Sequence, residues 1–78
     1  MLVKIVGIRR NFSFLTKDGK EISGSNIYIT RDQEGVEGLM CEKYFLNSKF
    51  DTTPLKPGVD IELFFNRYGK VDSYHVHR

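Results

Sequence analysis

The sequence predicts an all-β domain of five strands that wrap into a small barrel with little or no helix. Three observations lead there. Apolar residues alternate with polar ones instead of recurring at helical spacing. β-branched and aromatic residues fill the apolar runs. Turn signals such as Asp18-Gly19, Pro57-Gly58 and Gly69 punctuate the chain at short intervals.

The first strand spans residues 2 to about 15. Val3 and Ile5 point one way, and Ile8, Phe12 and Phe14 fall on the opposite phase with Gly7 between them. A glycine at a change of phase marks a β-bulge, which bends a long strand. Asp18-Gly19 then predicts a two-residue hairpin of type I′, with positive φ at both positions. The second strand, residues 20–30, sets Ile27 and Ile29 on one face and Tyr28 on the other, with Gly24 as a second bend. The segment RDQEGVEG (31–38) is an acidic loop, too polar for a core.

The third strand covers residues 39–47. A crossover with two prolines follows, with room for one short helical turn capped by Asp51 or Thr52. In the fourth strand, residues 59–66, Val59, Ile61, Leu63 and Phe65 alternate, which puts Phe64 on the outer face. The fifth strand is KVDSYHVH, residues 70–77. Between the last two, Asn66 suits the first position of a type I turn and Gly69 the left-handed residue of a G1 bulge. Arg67 and Tyr68 then occupy the two outward central positions, which the turn itself does not require them to fill. Phe12, Phe14, Phe45 and Phe65 are assigned to the core or a small secondary core.

With 78 residues the chain is a single domain, 1–78, of a size that buries only about 60–65% of its unfolded surface. Its 40% hydrophobic and 28% charged content is that of a globular chain, not a disordered one. No apolar run approaches the roughly 20 residues of a membrane span. Cys41 stands alone, so no disulfide framework is expected. The first residues lack a basic stretch leading into an apolar one, and together these features point to a cytoplasmic protein.

Catalytic patterns do not emerge. The acids fall in loops, no serine sits in a nucleophile motif, and no glycine-rich loop precedes a helix. His75 and His77 share a strand face, and Cys41 could add a third donor, but the spacing of a zinc site is missing. The expectation is a binding protein without enzyme activity, metal or cofactor.

Charge is segregated along the chain. Residues 1–31 carry six cations against two acids, residues 32–64 three against seven, and residues 65–78 three against one. Basic ends that meet in the fold would make one positive face. Small barrels bind single-stranded nucleic acid by stacking bases on exposed rings along such a face. Two barrels fit five strands, the OB-fold and the SH3-like barrel. A long bent first strand, able to pair at both of its ends, favours an OB-fold-like barrel. Its binding face and flanking loops would then hold Arg9, Arg10, Lys17, Lys20, Tyr28, Arg31, Lys43, Tyr44, Arg67, Tyr68 and Lys70. Lys43 and Tyr44 lie in opposite phases, so at most one of them can face the groove. Tyr28 and Tyr44 equally suit half-buried rings with wet hydroxyls. Phe64, exposed on the fourth strand, suits a subunit interface.

The strand beginning at residue 2, the TKDGK turn and above all the closing segment KPGVDIELFFNRYGKVDSYHV resemble the small helix-destabilising proteins of phages and plasmids, the filamentous-phage gene-five protein type. The resemblance implies an OB-fold homodimer that coats single-stranded DNA during replication without reading its sequence, and it points to Tyr28, Arg67 and Tyr68. The acidic loop at Asp32, Glu34 and Glu37 departs from that family, which carries a longer basic and aromatic wing there. Single-stranded RNA is an equal substrate on these residues, none of which marks a 2′-hydroxyl reader. The reading from another class is a protein-interaction module in replication or conjugation, docking through Phe64 and the last hairpin.

Overall fold

A computed structural model describes residues 1–77. Five strands form: β1 (Leu2–Leu15), β2 (Glu21–Arg31), β3 (Met40–Asn47), β4 (Asp60–Phe65) and β5 (Val71–Val76). All pair antiparallel in one sheet of order β3-β2-β1-β4-β5. The long first strand is the hinge of this arrangement. It pairs with β2 from Lys4 to Leu15 on one edge and with β4 from Leu2 to Lys4 on the other.

β1 can serve both partners because it is bulged twice. Val6 and Gly7 together oppose Tyr28, so Ile8 returns to the face of Val3 and Ile5, as the glycine at the phase change predicts. A second irregularity, which the sequence reading does not foresee, falls at Arg10-Asn11. These two residues fill the register between the pairs Arg9–Asn26 and Phe12–Gly24, opposite Ser25 alone. Asn11 is the one non-glycine residue with positive φ, at 51°, among the described residues. Asparagine tolerates that left-handed conformation better than most side chains. Its backbone N–H donates to the buried Ser25 hydroxyl at 3.1 Å, which satisfies the group the bulge frees.

The core is aliphatic: Val3, Ile5, Ile27, Ile29, Leu46, Leu55, Ile61 and Leu63 are all buried. Each such side chain contributes about 1.5–3 kcal/mol relative to exposure. Leu55 comes from the β3–β4 connection and is fully buried against the inner face of the sheet. That connection holds a series of single turns, closed by Phe50 N–H to Asn47 O, Leu55 N–H to Thr52 O and Val59 N–H to Lys56 O. One of these turns, Leu55 N–H to Thr52 O, falls where a short turn near Asp51 or Thr52 was expected, and no helix develops from it, since Pro57 has no N–H to continue one. Asp51 instead accepts the Thr53 N–H at 3.0 Å.

Both hairpin tips have the same backbone. Gly19 N–H donates to Thr16 O and Thr16 N–H to Lys20 O; Gly69 N–H donates to Asn66 O and Asn66 N–H to Lys70 O. Gly19 (φ 79°) and Gly69 (φ 76°) are the left-handed residues. The last hairpin is as predicted. The first is not a type I′ turn, since Asp18 keeps negative φ, and the Thr16 hydroxyl accepts Lys20 N–H at 3.2 Å to support the longer loop.

No ladder joins β3 to β5, so the sheet curls without closing. Side chains fill the gap instead: the Tyr44 ring of β3 packs on the Phe65 ring of β4, with centroids 5.4 Å apart. Phe65 is therefore not a core residue; it is 37% exposed and lines this seam. Among the described residues, no helix is long and apolar enough to cross a membrane.

Candidate functional site

The second bulge of β1 determines the chemistry of the outer face. After Asn11 the alternation is reversed, so Phe12 and Phe14 leave the phase of Ile8 and stand outside. There they meet Phe45 of β3: Phe12 and Phe14 stack at 6.1 Å, and Phe45 presents its edge to both at 6.0 and 5.8 Å. Gly24 lies beneath that cluster. A Cβ at this position would collide with the Phe45 ring and the Leu46 carbonyl. The glycine therefore admits a ring, and the register of β2 with β3 runs unbroken from Arg31 to it.

Cations and one tyrosine complete the face. Tyr28 lies over Gly7, is 40% exposed and stands directly across from Lys43. Arg9 is paired with Asn26 and holds its guanidinium 4.2 Å from the Phe12 ring centroid. Arg9, Phe12, Phe14, Asn26, Lys43 and Phe45 border one shallow depression of about 420 Å³. Phe14, 44% exposed, leads from it toward the hairpin tips. Next to it, the seam between β3 and the β4–β5 hairpin opens a groove of about 530 Å³ that brings Gly69 and Lys70 beside Phe14 and Lys43.

Both tips therefore sit at this end of the sheet. The first carries Lys17 and Lys20. On the second, Arg67 Nη2 donates to the Tyr68 hydroxyl at 2.8 Å, with the guanidinium 4.9 Å from the ring centroid. Tyr68 is 71% exposed, so the pair presents a flat cation and a ring to solvent already ordered against each other. The acids Asp32, Glu34 and Glu37 lie in the β2–β3 loop at the other end of β2. Among the described residues no salt bridge engages Arg9, Lys17, Lys20, Lys43, Arg67 or Lys70.

Three expected site residues are not brought to this face. Arg10 is a structural tie: its guanidinium donates to Thr52 O at 2.7 Å and to Leu55 O, pinning the β3–β4 connection to the second bulge. Arg31 shares the inward phase of Ile27 and Ile29, so its charge is met inside. It pairs with Glu42 at 2.8 Å and also donates to Gln33. Tyr44 also faces inward, across from Ile27, and its hydroxyl donates to Glu42. That hydrogen bond, helped by Arg31, holds the Glu42 carboxyl below the usual range despite partial burial. Burial, then the Glu42 carboxylate, pushes the Tyr44 hydroxyl up to about 12.

Phe64 is 45% exposed on the outer face of β4, across from Ser73, and lies apart from the aromatic face of β1–β3. His75 is paired with Glu62, and Cys41 with Thr30 on the far strand of the sheet. Among the described residues no three His, Cys, Asp or Glu side chains gather to hold a metal.

The sequence reading assigns Phe12, Phe14 and Phe45 to the core or a small secondary core; they do pack together, but on the outer face, and Asn26 beside them is not singled out. The available signal was the polar doublet Arg10-Asn11, which interrupts an alternating strand with a residue that accepts positive φ. Compared with known proteins, the chain matches no family model, no curated sequence and no solved structure.

Proposed function

We propose that this protein binds single-stranded nucleic acid, in the first instance DNA, largely without regard to sequence. The observation that carries the reading is the outer face of β1–β2–β3, where exposed rings and unpaired cations interleave over adjacent strands. Rings in that arrangement offer bases about 1–3 kcal/mol each by stacking, and the cations meet phosphates between them. The strand order and the doubly paired β1 support a partly open OB-type barrel, a fold whose ligand crosses strands two and three between the first and last hairpin loops. Here those loops are the two tips at residues 16–20 and 66–70. Exposed Phe64 supports a homodimer contact that leaves this face free. A role in copying a phage or plasmid genome follows from the resemblance of the closing segment.

Phe64 also supports the other reading, a protein-docking module. With Leu2 it places large apolar side chains on the outer face of β1 and β4, away from the cations. Titration with oligothymidine, followed by tyrosine fluorescence at two salt concentrations, separates the two. Tyrosine is the only strong intrinsic reporter in a chain without tryptophan. Quenching that weakens with salt is the expected result. An unchanged signal at low salt, with no shift on a gel, would overturn nucleic-acid binding and leave the docking module.

A further inference from the structure

Across the outer face runs one row in which an amide stands between a cation and a ring. We propose that Asn26, in the middle of that row, meets the pairing edge of a bound base, and that its freedom to turn lets it do so for all four bases. The inference rests on the reading of the chain as a single-strand binder. It assigns a residue to base contact and gives the tolerance of sequence a cause.

Strand pairing puts Asn26 at the centre of the face. Arg9 of β1 stands across from it on one side and Phe45 of β3 on the other. Tyr28 follows two residues along β2, on the same face. Side chains directly opposite on paired strands have Cβ atoms about 4.5–5.5 Å apart. A base packed on Phe45 or Tyr28 therefore carries its rim to the amide. Asn26 also borders the depression of about 420 Å³ together with Arg9, Lys43 and Phe45. The two cations only donate, which suits them to the phosphates on either side of such a base.

Neither strand propensity nor internal bonding accounts for an asparagine at this point. Strands are depleted in it. Where its amide serves the fold of this chain, it does so in turns: Asn47 accepts the Lys49 N–H at 3.0 Å, and Asn66 the Tyr68 and Lys70 N–H groups at 2.9 and 3.1 Å. Those amides are held in one orientation. Among the described residues no hydrogen bond engages the Asn26 side chain. It is half-buried, and the one buried side-chain atom without a partner is Arg31 Nε, so the Asn26 amide is open to solvent. A free amide can turn about its last torsion and exchange its C=O and NH₂. Every base sets a donor beside an acceptor at its pairing edge: an amino group beside a ring nitrogen in adenine and cytosine, a ring N–H beside a carbonyl in guanine and thymine. One orientation or the other of the amide matches each of them.

The test follows the fluorescence anisotropy of end-labelled oligomers of thymidine, deoxycytidine and deoxyadenosine at low salt, and of an abasic sugar–phosphate chain of the same length. The wild type is compared with Asn26→Ala, with Asn26→Leu and with Tyr28→Ala. Leucine keeps the shape of the asparagine side chain and lacks its hydrogen-bonding groups. Both Asn26 variants should keep the wild-type thermal midpoint, since the amide ties nothing within the protein. Both should weaken all the base-bearing oligomers by a similar factor, about two- to tenfold. The abasic chain should bind them as it binds the wild type. If Asn26→Leu holds the base-bearing oligomers as tightly as the wild type, or loses the abasic chain by the same factor, Asn26 does not meet a base edge. A loss confined to one oligomer would overturn the freely turning amide. If Tyr28→Ala still weakens binding in those cases, the single-strand reading survives the loss of this inference. No binding of any oligomer to the wild type would overturn both.

Discussion

The two faces of the β1–β2–β3 sheet come from the same residues read alternately, and they have little chemistry in common. Inward stand Ile5, Ile8, Ile27, Ile29 and Leu46, aliphatic and largely buried. Outward stand Arg9, Phe12, Phe14, Tyr28, Lys43 and Phe45, ringed or charged and reached by water. On the inner face stray polar groups find partners, Arg31 in Glu42 and Ser25 in the Asn11 N–H, although the Arg31 Nε stays buried without one. On the outer face Arg9 and Lys43 have no carboxylate partner among the described residues, whereas Lys4, at the β4 edge, meets Asp60 at 3.9 Å. A small domain that left rings and charges in this state only by accident would gain nothing from it. The contrast teaches that burial dictates the composition of one face only; the proposed ligand is what the other would answer to.

Neighbouring residues of β2 give the widest separation. Ile27→Ala should cost about 2–5 kcal/mol of stability in urea unfolding, through lost burial and a cavity. Tyr28→Ala should leave the melting temperature nearly unchanged while weakening oligothymidine binding by about 1–3 kcal/mol in a fluorescence titration. Equal stability losses at the two positions would erase the distinction between the faces. Gly24→Ala is the exception that sharpens it. Although it lies under the outer cluster, its Cβ would displace Phe45 and press on Leu46, so it should cost about 1–3 kcal/mol and lower affinity together.

Smaller effects come from the tips and the inner polar pair. Arg67→Ala and Tyr68→Ala should each weaken oligonucleotide binding by about 1 kcal/mol with no change in thermal midpoint, since both side chains are exposed beyond the turn that holds them. Wild-type affinity in both variants would exclude the tip from the site. Tyr44→Phe should cost about 1 kcal/mol at neutral pH. Tyr44 titrates higher in the folded chain, so its contribution is full below its ordinary value of 10.0 and is lost as pH rises toward about 12. Glu42 titrates lower when folded, so its contribution is full above 4.5 and is lost as pH falls through the depressed value. Urea midpoints measured across pH should show the alkaline loss shrink in Tyr44→Phe, the remainder coming from Tyr74, which burial also raises. The acid loss should persist in part, because Arg31 still faces Glu42.

What could be read in the sequence was local. Five strands, the bulge at Gly7 and the last hairpin each rest on a few adjacent residues, and all appear in the structure. Tyr28 was placed outward by simple alternation with Ile27 and Ile29. Phe12 and Phe14 were misplaced because their phase depends on one extra residue whose bulge is satisfied by Ser25 in another strand. Arg10 was misjudged because its partners, Thr52 and Leu55, lie more than forty residues away. Arg31 was legible in part: it continues the buried phase of Ile27 and Ile29, and a cation there calls for a carboxylate. Failure of β3 and β5 to pair left no trace in any short segment.

The bulge at Arg10-Asn11 also bears on how such a chain can change over time. In most surface segments, losing or gaining one residue alters a loop's length and little else. Here the removal of Asn11 would exchange inside for outside along the rest of β1, sending Phe12 and Phe14 toward the core and stripping the outer cluster of two of its three phenylalanine rings. Conservative substitutions change one side chain at a time on either face of this strand, but a change in its length re-sorts every residue beyond the bulge. A single residue thus fixes which side chains the outer surface of the sheet presents.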